Sequence, residues 1–128
     1  MSESETRDPG MTDLADLAQL VDVAEGSIVS RTVLRGAGAK VVLFAFDTGE
    51  ELSEHTAAVP VLLQALSGAL DVTADGRTVH LRPGGLIHLA ARVPHSVVAP
   101  EPARLLLVLL DARRSGGEGG ASPAGQPM

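Results

Sequence analysis

From Ser27 to Asp111 the chain is a series of brief apolar runs cut by turn residues, and this punctuation constrains its fold more than any other feature. The runs are Ile28–Leu34, Val41–Phe46, Val61–Leu66, Leu70–Ala74, Thr78–Leu81, Leu86–Leu89 and Arg104–Leu110. The cuts are Gly36-Ala37-Gly38, Thr48-Gly49, Ser67-Gly68, Asp75-Gly76, Pro83-Gly84-Gly85 and Pro100–Pro102. Many short strands separated by turn signals predict an all-β sandwich or barrel. With 128 residues the chain has room for one domain. Phe44 and Phe46 are its only aromatic residues, so the core has to be aliphatic.

The composition divides the chain into three parts. Residues 28–111 form the barrel. Residues 1–27 form an acidic arm, with seven acids against Arg7, while the formal net charge of the whole chain is −6. Its first eleven residues have no periodicity and read as disordered. Residues 12–21 predict a short helix, with Leu14, Leu17, Ala18 and Val21 on one face and Thr12 as its cap. Residues 112–128 read as a disordered tail rich in Gly, Pro and Ser.

Several classes are excluded. No basic patch or aromatic stacking platform favours nucleic acid. No apolar run reaches the roughly 18 residues of a membrane span. The opening MSESETRDPG is acidic and polar, unlike a secretory signal, so cytoplasmic residence is expected. The absence of cysteine excludes disulfides, thiolate metal sites and a cysteine nucleophile.

One hairpin is legible in register. Asp75-Gly76 suits a two-residue turn with positive φ at both positions. That turn pairs Ala74 with Arg77, Thr73 with Thr78, Val72 with Val79, Asp71 with His80 and Leu70 with Leu81. The pairs Val72–Val79 and Leu70–Leu81 share one face, which should be buried. His80 then lies on the wet face, opposite a carboxylate.

The candidate chemistry lies in the histidines. All four (His55, His80, His88, His95) fall within 41 residues. In a chain without cysteine they suggest imidazole ligands to Zn, Fe, Mn, Ni or Cu. Their setting is more specific. Gly49-Glu-Glu-Leu-Ser-Glu-His55 resembles the opening of the first cupin motif, which closes here at Gly68. Gly84-Gly-Leu-Ile-His-Leu-Ala-Ala-Arg-Val-Pro-His95 resembles the second. Over residues 28–111 the chain resembles the small single-domain, RmlC-like cupins of the conserved-barrel type. The resemblance implies a jelly-roll barrel, a pocket holding His55 and His95, and a homodimer.

The metal motif departs from the family pattern. The position of its second histidine holds Ala57, and that of its glutamate falls near Val61. His88 is the candidate third ligand if it points inward. Gln64 shares the parity of Leu62 and Leu66 and is expected outside, while Ala57, Val61, Leu63 and Ala65 are the expected pocket wall. Glu50, Glu51 and Glu54 read as a solvated face, and Arg92 as a turn residue that could rim the pocket.

Three functions compete. The first is a protein that binds a small molecule, with or without a divalent metal. The second is a metal-dependent enzyme of the dioxygenase, isomerase or decarboxylase class, built on His55, His88 and His95. The third is a non-catalytic dimeric interaction protein.

Overall fold

A computed structural model describes residues 10–36 and 38–111 of the chain. It contains nine strands: β1 (Ile28–Gly36), β2 (Ala39–Phe46), β3 (Glu51–His55), β4 (Val61–Ser67), β5 (Leu70–Ala74), β6 (Arg77–Leu81), β7 (Ile87–Leu89), β8 (His95–Val98) and β9 (Ala103–Leu110). They form two antiparallel sheets, ordered β1-β2-β9-β4-β7 and β3-β8-β5-β6. The core lies between them. Phe46, Val61, Leu63, Ala65 and Leu105 of the first sheet meet Leu70, Val72, Leu81 and Val97 of the second. This is the all-β double-sheet barrel that the punctuated sequence implies. The β5–β6 hairpin has the expected register at all five pairs. Thr73 and Thr78 share a hydrogen bond of 2.7 Å on its wet face.

β2 and β9 are apolar at both parities because both of their faces are covered. Phe44, Phe46, Leu105 and Leu107 face the core. Leu43, Ala45 and Leu106 face the other way, onto Leu17, Leu20, Val21 and Val23 of the N-terminal segment. Two arginines fasten that segment. Arg104 Nε donates to the Val21 carbonyl at 2.9 Å, and Arg31 Nη1 donates to the Leu20 carbonyl at 3.0 Å.

The helix expected over 12–21 shrinks to one 3₁₀ turn, Leu17–Leu20. Asp16 and Val21, on either side, are extended, and no side chain caps the turn. Leu14, placed on the expected apolar face, is exposed. A helix this short is marginal in water, so contact with the sheet decides the local conformation. The segments expected to be disordered lie outside the described residues, except Gly10 and Met11. No helix among the described residues is long and apolar enough to cross a membrane.

Asp47, at the end of β2, ties the start of β1 to the next turn. Its carboxylate accepts the Gly26 N–H at 2.7 Å and the Thr48 N–H at 2.9 Å. Those two donors, Gly26 first, hold its carboxyl below the usual aspartate range. A depressed folded-state value contributes stability above the unfolded value, lost as pH falls through the folded one. Asp47→Ala is therefore expected to be less stable than wild type at pH 7. The gap should close below about pH 4, where the unfolded-state carboxyl protonates. Urea midpoints at the two pH values check this; a gap that persists unchanged in acid would overturn it.

Candidate functional site

β3 and β8 carry the two motif histidines and pair antiparallel. In β8, His95 shares the inward parity of Val97. In β3 the inward residue is Leu52, which packs on the core. Simple alternation from Leu52 would turn Glu54 inward and His55 outward. The ladder instead slips between Leu52 and His55: Leu52 pairs with Val97 and His55 with His95. This bulge inserts one extra residue in β3 and brings His55 round beside His95.

The ring centroids lie 4.4 Å apart and the planes are tilted by 57°. Each ring is oriented by its own backbone two residues upstream. His55 Nδ1 donates to the Ser53 carbonyl at 2.8 Å, and His95 Nδ1 donates to the Val93 carbonyl at 2.9 Å. A carbonyl can only accept, so each neutral ring carries its proton on Nδ1 and keeps its lone pair on Nε2. His95 is buried and His55 exposed, so the pair joins the barrel interior to solvent. The turn before His95 is pinned to the segment after His55, because the Arg92 N–H donates to the Ala57 carbonyl at 2.8 Å. Arg92 itself has φ +68° and an exposed side chain.

The other expected residues are placed as follows. His88 does not join the pair. It is exposed and lies opposite Leu62 on the outer face of the first sheet, while the next pair, Val61–Leu89, is buried inside. Gln64 lies opposite Leu106, also on the outer face. Val61, Leu63 and Ala65 are buried within the core, so all three pack with their neighbours rather than forming an open wall. Ala57 is half-buried at the core margin. His80 sits outside, with Nδ1 at 2.6 Å from Asp71 Oδ1. Glu51 and Glu54 are exposed.

These residues make half of a metal site. Two imidazoles with free Nε2 atoms are chemically suited to a divalent cation. Metal sites, however, usually take three or four protein ligands. Ala57 and Val61 supply no donor where the family has its other two. Among the described residues no group of three His, Cys, Asp or Glu is placed to hold a metal ion. The residues present do not fit a tightly held metal.

The sequence profile of the cupin domain matches residues 42–109, more than half of the chain. The chain belongs to the cupin family. Solved structures agree with this. A conserved protein of unknown function from Streptococcus pyogenes is 27% identical, with a TM-score of 0.70, covering 80% of this chain and 90% of its own. A cupin superfamily protein from Desulfitobacterium hafniense is 24% identical, with a TM-score of 0.70, covering 80% and 93%. A cupin 2 conserved barrel domain protein from Leptotrichia buccalis is 29% identical, with a TM-score of 0.67; the match covers 73% of this cupin and 46% of that protein. No curated protein matches this cupin in sequence.

Proposed function

We propose that this cupin is a small-molecule-binding protein whose ligand is held at the His55–His95 end of the barrel without a resident metal. One observation carries the reading: two adjacent imidazoles have committed their Nδ1 protons to Ser53 and Val93, leaving the Nε2 atom of each ring as an acceptor. Such a pair accepts hydrogen bonds from a ligand's hydroxyl, amide or ammonium groups.

Metal content and ligand stabilisation test the proposal together. Plasma mass spectrometry of untagged protein should find well below one metal ion per chain. Concentration has to come from peptide absorbance, because the chain has no Tyr or Trp. Melting temperature is then followed against a panel of small polyols, amides and amines, since a ligand of the folded state raises it. At least one compound should bind. His95→Ala and His55→Ala should each weaken it by about fivefold, the value of one hydrogen bond near 1 kcal/mol. One metal per chain, lost in both variants, would replace this reading with a metalloprotein. Binding unaffected by either substitution would remove the histidines from the site.

A further inference from the structure

At the far end of β1 and β2 the register aligns four residues of the first sheet in a single row. Arg35 pairs with Lys40, Lys40 with Leu109, and Leu109 with Val61. Paired residues of an antiparallel sheet share a face. Leu109 packs on the core and Val61 belongs to it, so the face of this row is the inward one. Two cations therefore stand at core-facing positions, just beyond the apolar packing. The bulge between Thr32 and Leu34 matters here, because it shifts the parity of β1 and sets Arg35 opposite Lys40.

The row opens into a recess of about 480 Å³ whose lining includes Arg35, Lys40, Val59, Leu109, Leu110 and Asp111. That volume lies within the range of small-molecule sites, roughly 300–1,000 Å³. The lining combines apolar residues (Val59, Leu109, Leu110) with the two cations. Among the described residues, the ion pairs join His80 to Asp71 and Arg104 to Asp22, so neither Arg35 nor Lys40 is spoken for. The two cations suit an anionic head, and the apolar residues suit an aliphatic body.

We propose that this recess binds a short aliphatic monocarboxylate, its head between Arg35 and Lys40 and its hydrocarbon against Val59 and Leu109. The site is separate from the histidine pair and does not depend on the function proposed for it.

Isothermal titration of the full chain with hexanoate, hexanol and hexylamine tests this. Hexanoate should bind saturably, hexanol at least about tenfold more weakly, and hexylamine not at all. Charge-assisted hydrogen bonds exceed neutral ones, so replacing both cations should matter as much as replacing the head. Arg35→Met with Lys40→Met keeps the apolar stems and should weaken hexanoate at least about tenfold. Should that pair fail to fold, Lys40→Gln alone should still weaken hexanoate measurably. No saturable binding, equal binding of hexanol, or full affinity in the folded double variant would overturn the proposal. Binding kept in that variant and lost in His95→Ala would also overturn it, while supporting the histidine site.

Discussion

Gly68→Ala is expected to be the most damaging small substitution in this cupin, leaving little folded protein. Gly68 turns the chain between β4 and β5 with φ +68°. A left-handed conformation costs a residue bearing a Cβ about 1–2 kcal/mol. The space adds more. A Cβ there would stand 2.2 Å from the Pro102 carbonyl oxygen and 2.9 Å from the Ala103 Cα. Both are backbone atoms at the start of β9, and moving them would disturb the pairing of β9 with β2 and β4. The total should exceed about 4 kcal/mol, a large part of the roughly 5–15 kcal/mol that holds a domain folded. Gly49→Ala separates the two contributions. Gly49 has φ +82°, and a Cβ added there would meet nothing within 4 Å, so only the conformational cost applies. Urea denaturation of both variants decides the matter; equal losses would show that the Pro102 contact yields cheaply.

Phe46→Ala should cost about 3–5 kcal/mol, the usual loss for a fully buried phenylalanine. Phe46 is 0% exposed, and it packs among both sheets in a core otherwise built from Leu, Val and Ala. Its ring centroid lies 6.2 Å from that of Phe44. Small aliphatic neighbours cannot rotate inward to fill the space of a ring, so a cavity should remain. Phe46→Leu should lose under about 1.5 kcal/mol, since most of the volume is kept. The readout is a lower urea midpoint at unchanged slope. A loss below about 1.5 kcal/mol for Phe46→Ala would mean that the core collapses around the gap.

The strands that carry a simple alternation were the ones open to reading. The β5–β6 hairpin followed from Asp75-Gly76 and parity alone, down to the placing of His80 beside Asp71. In β4, apolar at both parities, the motif resemblance placed Val61 inside, and parity then put Gln64 outside. β3 and β8 were not visible as apolar runs, because Glu51–His55 is mostly polar and His95–Val98 is short. The motif resemblance pointed to His55 and His95, yet local alternation could not bring them together; the bulge after Leu52 does that. His88 was undecidable for a different reason. Leu86 and Ile87 are both apolar, so only the pairing of β7 with β4 shows that His88 faces outward. Arg35 and Lys40 flank the Gly36–Gly38 turn in sequence, and their common row depends on a second bulge, in β1.

The place of β9 has a consequence for biosynthesis. The last strand among the described residues lies between β2 and β4, and Arg104 reaches back 83 residues to Val21. A growing chain can form the β1–β2 ribbon and the β5–β6 hairpin early, but the larger sheet has no centre until residue 110 has left the ribosome. Closure of such distant pairs places folding toward the slow end of small domains, on the order of milliseconds to seconds. Until then, the unpaired edges of β2 and β4 are what a chaperone or a neighbouring nascent chain would encounter.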